Sequence, residues 1–198
     1  MRLLIFSDIH GDKAALERLM AMEADYYFAA GDLVNMGRNL SDVAPILSRR
    51  KERLYIIPGN HESAADVSRF AAEFGFHDFH GKSIRIGDWT VGGLGHSNIT
   101  PFNTPGEYTE PQFLEQLEPF RGLSPLVMVC HCPPKNSRLD RAGEGQHFGS
   151  PAMREFIERE QPAHFFCGHI HEAAGQTEQF EETVGMNVGK AGYLLELT

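Results

Sequence analysis

Apolar residues fall in short runs separated by polar, glycine- and proline-rich punctuation, and the period of each run predicts its element. Leu3 to Ser7 is a continuous apolar run that stops at Asp8-Ile9-His10-Gly11-Asp12, and it predicts a buried strand. Asp12 then caps a helix with Leu16, Leu19 and Met20 on one face. Tyr26 to Ala30 predicts a second strand, closed by Gly31-Asp32. A polar loop and a helix cover Asn39 to Arg50. Arg53 to Ile57 predicts a third strand, closed by Pro58-Gly59-Asn60-His61-Glu62. Ser63 caps a helix whose Val67, Phe70, Ala71 and Phe74 repeat at helical spacing. Strand and helix alternating in this way argue an α/β fold.

The pattern changes in the middle. His77 to Gly95 reads as short strands turning at Gly81 and Gly87-Asp88, which predicts antiparallel pairing. Ser97 to Thr109 is a loop rich in Pro, Gly and Asn, followed by a helix with Phe113, Leu114 and Leu117 on one face. Leu126 to Cys130 predicts another buried strand, closed by His131-Cys132-Pro133-Pro134. Lys135 to Gly149 is a long polar loop, and loops of that length in a compact domain are usually functional or disordered. Ser150-Pro151 opens a helix with Met153, Phe156 and Ile157 inward. Ala163 to Cys167 is a buried strand that stops at Gly168 and presents His169 and His171 at i and i+2. That spacing aims two imidazoles into one site. Three strand-like runs close the chain: Gln176 to Phe180, Val184 to Val188 and Tyr193 to Leu197. There is no repeat and no linker, so residues 1–198 read as one domain.

Composition narrows the function classes. A chain of 198 residues with 41% hydrophobic content can bury a full core. No apolar run approaches the roughly 20 residues of a membrane span. The first apolar run passes directly into Asp8 and His10 without a cleavage site, which predicts a cytoplasmic protein with no membrane partner. Three cysteines, Cys130, Cys132 and Cys167, argue against a disulfide framework. Cys130 and Cys167 read as small buried hydrophobes, whereas Cys132, beside His131, is the thiol expected to be sensitive to oxidation. The net charge of -9 makes nucleic acid an unlikely partner, because phosphate neutralisation drives such binding. A bound metal could still supply the local positive charge that a phosphate needs.

The candidate chemistry sits at the strand ends. Asp8 and His10, Asp32, Asn60 and His61, His131, and His169 with His171 each follow a predicted strand. In α/β sheets, sites collect beyond the carboxyl ends of the strands. Mixed carboxylate, imidazole and amide ligation suits Mn, Fe or Zn rather than a thiolate-bound structural zinc. So many donors, with one carboxylate bridging, fit two ions about 3.5–4 Å apart, the arrangement that clamps an in-line displacement at phosphorus.

Asp8-Ile9-His10, Gly31-Asp32-Leu33-Val34-Asn35, Gly59-Asn60-His61-Glu62, His131 and Gly168-His169-Ile170-His171 resemble, in order, the motifs of the calcineurin-like metallophosphoesterases. The resemblance spans residues 8 to 171. It implies a four-layer α-β-β-α sandwich of two mixed β-sheets flanked by helices. It implies one ion on Asp8, His10, Asp32 and His171 and another on Asp32, Asn60, His131 and His169, with Asp32 bridging. It further implies that His61 contacts the phosphoryl group and protonates the leaving oxygen. Glu62 would orient His61, and Asn35 would lie outside the ligands themselves. The activity implied is hydrolysis of a phosphate ester by a metal-activated hydroxide.

Substrate selection is less legible. The loops 97–108 and 135–149 are the two candidates for a lid, and His147, Arg141 and Asn98 are the candidate substrate contacts, with Lys135 and Arg138 nearby. His96 follows a strand and could approach the site. His77, His80 and His164 read as structural, and Trp89 and the phenylalanines as core. The expected substrate is a small phosphate ester. A chain with no room for a cap domain favours a phosphodiester. The alternatives are a phosphomonoester of a small metabolite and a non-catalytic, metal-dependent binding scaffold. A homo-oligomer is compatible with the sequence.

Overall fold

The structure is a computed structural model and describes residues 1–198. The chain begins with β1 (Arg2–Phe6), α1 (Lys13–Ala21) and β2 (Tyr26–Ala30), then α2 (Ala44–Leu47) between 3-10 turns at Leu40–Val43 and Ser48–Arg53. There follow β3 (Leu54–Ile57), α3 (Ala64–Phe74), β4 (His77–Asp78), β5 (Lys82–Ile86), β6 (Trp89–Leu94), β7 (Ser97–Asn98), β8 (Glu107–Tyr108) and α4 (Glu110–Leu117). The last part holds β9 (Leu126–Cys130), β10 (Arg141–Ala142), β11 (Gln146–His147), α5 (Pro151–Glu160), β12 (His164–Cys167), β13 (Thr177–Phe180), β14 (Thr183–Asn187) and β15 (Tyr193–Glu196).

The strands form two large mixed sheets. One has the order β15-β1-β2-β3-β4, with β1 to β4 parallel and β15 antiparallel. The other has the order β13-β14-β12-β9-β6-β5, with a parallel centre and antiparallel strands at both edges. Side chains alternate across each strand, and that alternation builds three apolar layers. Leu3 and Ile5 of β1 meet Val127 and Val129 of β9 and Phe166 of β12 between the sheets. Leu4 and Phe6 point the other way, onto Leu16, Leu19, Val67 and Phe70 of the outer helices. On the far side, Met128, Cys130, Phe165 and Cys167 pack against Phe113, Met153 and Ile157 of α4 and α5. This is the α-β-β-α sandwich.

Local chemistry stops the helices where the sequence predicts. Asp12, Ser63 and Ser150 each accept the backbone N–H three residues on, and Thr109 forms a capping box with Gln112. Helix α3 ends at Gly75 with φ 76°, a conformation that glycine adopts without steric cost. No helix is long and apolar enough to cross a membrane.

Four expectations need correction. The β5–β6 hairpin turns at Gly87-Asp88 as expected, but β4 runs parallel to β3 in the other sheet and β6 runs parallel to β9. The turn residues fixed the local hairpin, while the outer partners are set by packing far along the chain. Residues 135–149 are neither loose nor irregular throughout: β10 and β11 pair as a small hairpin. Not every phenylalanine is core, since Phe102 is 77% exposed and Phe148 is 45% exposed. Cys132 is fully buried and burial pushes its thiol up to about 12, so it carries little of the thiolate that oxidation requires.

Candidate metal centre

The parallel strands β1, β2, β3, β9 and β12 all end on one side of the sandwich, and their loops converge there. The loops approach closely enough to need glycine: a Cβ at Gly59 would fall on the Asp32 carboxylate, and one at Gly168 would fall on Ser7 and Asp8. Asp8, His10, Asp32 and His169 all have positive φ, between 49° and 69°. Asp and His are among the side chains that tolerate this region best.

Donor atoms face one another at the spacing of a coordination shell. The Nε2 atoms of His10 and His171 are 2.9 Å apart. Asn60 Oδ1 is 3.0 Å from His131 Nε2 and 2.9 Å from His169 Nδ1. Asp32 Oδ2 lies between the two sets, 3.6 Å from His10 Nε2 and 3.4 Å from His131 Nε2. His171 Nε2 is 3.7 Å from Asp8 Oδ1. Ligands about 2.1 Å from one ion are about 3.0–3.4 Å apart in octahedral or tetrahedral geometry, so the donor set fits metal ions. Donor atoms within 4.8 Å of one another form three overlapping groups: Asp8-His10-His171, His10-Asp32-His61 and Asp8-Asp32-His131.

Hydrogen bonds behind the donors fix which atom faces inward. His10 Nδ1 donates to Asn35 Oδ1 (2.8 Å) and His131 Nδ1 to the Ala30 carbonyl (2.9 Å), so each ring turns Nε2 inward. The His169 N–H donates to both Asp8 carboxylate oxygens, and the His61 N–H to Asp32 Oδ1 at 2.9 Å, which leaves Oδ2 toward the imidazoles. Asn60 donates its amide to Thr104 Oγ1 (3.2 Å), so its oxygen faces in. The Met36 N–H donates to His61 Nδ1 (3.2 Å), which places the ring proton on Nε2.

The electrostatics follow from burial and from the crowding of donors. Burial opposes charge on both His131 and Asp32, yet their mutual attraction prevails. His131 is pushed up to about 9, and Asp32 lies far below the usual carboxylate range. Burial, then the His131 charge, brings His169 down to about 4. Burial also lowers His10, whereas the Asp8 carboxylate nearby raises His171.

The family model of the calcineurin-like phosphoesterases matches residues 1–173. The chain belongs to that family. Uncharacterized protein MJ1162 of Methanocaldococcus jannaschii is 31% identical over 180 residues, 87% of this chain and 81% of that protein. Among solved structures, TT1561 of Thermus thermophilus superposes with a TM-score of 0.71 at 17% identity, covering 96% of this chain and 90% of its own. A dimetal phosphatase from Danio rerio superposes with a TM-score of 0.61 at 12% identity, covering 93% of this chain and 86% of its own. At those identities the likeness is one of fold.

Within this calcineurin-like site, Glu62 does not touch His61. Its buried carboxylate accepts the backbone N–H groups of Asp32, Val34 and Gly59 at 2.9–3.0 Å and so ties the loop after β2 to the loop after β3. Burial first, then the Asp32 charge, raises it to about 8. The candidate substrate residues stand outside the donor groups. His147 Nδ1 donates to Asp140 (2.7 Å), Asn98 Oδ1 lies 3.4 Å from the Cys132 sulfur, and Arg141 is exposed on the hairpin. His96 packs in tilted contact with the rings of His80 and Tyr108, and burial brings it down to about 3, so its ring is neutral. Sequence reasoning missed Thr104, which holds Asn60 across 44 positions with no local signal. It also missed Asp140, which the Ser137-x-x-Asp140 capping pattern could have flagged.

Proposed function

We propose that this chain is a dinuclear metal-dependent phosphoesterase that acts on phosphodiesters in preference to monoesters. The observation that carries the reading is Asp32 Oδ2 standing between two sets of imidazole donors. Asp8, His10, Asp32 and His171 would hold one ion, and Asp32, Asn60, His131 and His169 the other. Carboxylate, imidazole and amide donors without a thiolate suit Mn, Fe or Zn. Bound there, two such ions supply a water of lowered pKa and positive charge against the phosphoryl oxygens.

The chain's own residues supply the rest. Asp32 and Asn60 are oriented by the chain itself, through the His61 N–H and Thr104. His61 presents Nε2–H toward the site, with Nδ1 occupied by the Met36 N–H. Its proton is therefore available to the phosphoryl or leaving oxygen. The site is open, with the His171 side chain 58% exposed, and this favours an ester with substituents on both sides of phosphorus over an engulfed monoester.

Hydrolysis of bis-p-nitrophenyl phosphate beside p-nitrophenyl phosphate, on chelator-stripped protein with Mn²⁺ restored, tests the reading. Faster diester turnover is expected, and faster monoester turnover reverses the preference. His61→Gln should lower kcat by about a hundredfold or more, the scale of general acid catalysis, with both metals retained by elemental analysis. Loss of a metal in that variant would make His61 a ligand instead.

A further inference from the structure

The cations left without partners are not spread evenly. Eleven of the 18 Lys and Arg side chains meet a carboxylate or a backbone carbonyl. Of the seven that do not, Lys13, Arg38, Arg138 and Arg141 line two cavities, one with His10 on its wall and the other with the two residues that follow His171. The larger, of about 640 Å³, lies among Arg138, Arg141, Gly143, Glu172, Ala173 and Gln176. Glu172 and Ala173 follow the donor His171 directly in the 3-10 turn His171–Ala173. A third cavity, of about 250 Å³, has Asp8, His10, His171 and Ala174 on its wall, so it and the arginine cavity lie against the same turn.

Two guanidinium groups at one cavity are suited to a phosphate or carboxylate, which their planar forks can meet with paired hydrogen bonds. In a chain with 27 acidic residues, arginines could readily be neutralised internally. Here Glu172 is the carboxylate on the cavity wall, and no ion pair joins it to either arginine. The arginines also sit on a fixed base. Asp140 between them is fully buried and accepts the Ser137 and Gly149 N–H groups and His147 Nδ1. The backbone N–H of Arg138 is bound by Glu178. With the backbone beneath them anchored, binding need order only the two side chains.

We infer that the substrate carries a second anionic group beyond the scissile phosphate, and that Arg138 and Arg141 hold it. The inference rests on the phosphoesterase reading above and narrows it to esters with a phosphate or carboxylate on the alcohol side. The cavity of Lys13 and Arg38, of about 320 Å³, is the competing location.

The test uses the metal-loaded protein and calorimetry with non-hydrolysable ligands. A ladder of alkane-α,ω-bisphosphonates from ethane to octane is compared with the matching alkylphosphonates, and a parallel ladder of ω-carboxyalkylphosphonates reads the carboxylate arm. At the best length, one doubly anionic ladder should bind about tenfold more tightly than its alkyl counterpart, the size of one charge-assisted hydrogen bond. The doubly substituted R138A/R141A variant should lose that advantage while binding alkylphosphonates as before. Both residues are exposed, so an unchanged melting temperature is expected. The inference is overturned if no length gains affinity, if the gain survives in R138A/R141A, or if it is lost in Arg38→Ala instead. Alkylphosphonates that bind with no gain from the second anion leave the phosphoesterase reading intact. Absence of both binding and ester turnover, with two metals present, removes both readings.

Discussion

Residues 97–109 and 135–149 both border the donor cluster, and each is wrapped around a single carboxylate. In the first, Glu107 accepts Thr100 Oγ1, the Thr104 N–H and Thr104 Oγ1. In the second, Asp140 accepts the N–H groups of Asn136, Ser137 and Gly149, the Ser137 hydroxyl and His147 Nδ1. The anchors differ in depth: Asp140 is fully buried, Glu107 half-buried. They differ also in reach. Thr104 continues to Asn60, a proposed metal ligand, and the Gly106 N–H donates to the Asn60 carbonyl. The Asp140 network ends within its own hairpin and the adjoining Pro133–Ser150 segment. The surfaces contrast too, since the first loop exposes Ile99 and Phe102 and the second Arg138 and Arg141. One loop is therefore coupled to the candidate donor cluster and apolar outside. The other is coupled to the fold and cationic outside.

The contrast can be broken in three ways. Asp140→Ala strands four hydrogen-bond donors, since the Ser137 hydroxyl keeps the Pro134 carbonyl, and should cost about 3 kcal/mol or more in denaturant unfolding, as loss of a buried charged partner does. It should also open the 141–147 hairpin to proteolysis while metal binding persists. A cost under about 1 kcal/mol would mean that something else holds the hairpin. Glu107→Gln should have the reverse signature. Loosening Thr104 should weaken metal affinity by about tenfold, as changes behind a ligand do, with a stability change of about 1 kcal/mol or less. Equal metal affinity in this variant would detach the first loop from the centre. Phe102→Ser, at a 77% exposed position, should change stability by no more than about 0.5 kcal/mol and leave metal affinity alone. A larger loss would show that the apolar face is covered in solution.

The clustering of the candidate donors was legible in the sequence because metal ligation would demand particular side chains, and strand-ending turns demand particular positions. Asp8, Asp32, Asn60, His131 and His169 satisfy both demands at once, and the structure brings them together. Their supports were not legible. Thr104 depends on a contact across 44 residues, and the group on His61 Nδ1 is the backbone N–H of Met36, which most side chains at that position would also provide. Glu62 shows the limit of reading roles from adjacency, because its neighbour His61 is not what it binds. In the fold, the strand at β6 was legible from its own residues. Its parallel partner β9 was not, because β6 pairs across more than thirty residues of intervening chain.

The left-handed backbone at Asp8, His10, Asp32 and His169 sets endurance against purpose. Each such residue stores of the order of 1–2 kcal/mol that glycine would release. A lineage selected for heat tolerance alone would drift toward glycine at these sites, gaining robustness while surrendering its ligands one by one. Thermal hardening by directed evolution should therefore be steered to the opposite rim of the sandwich. There the exposed Arg49–Glu17 pair lies just ahead of β3, at the far end of that strand from Asn60, and can be exchanged without a toll on chemistry.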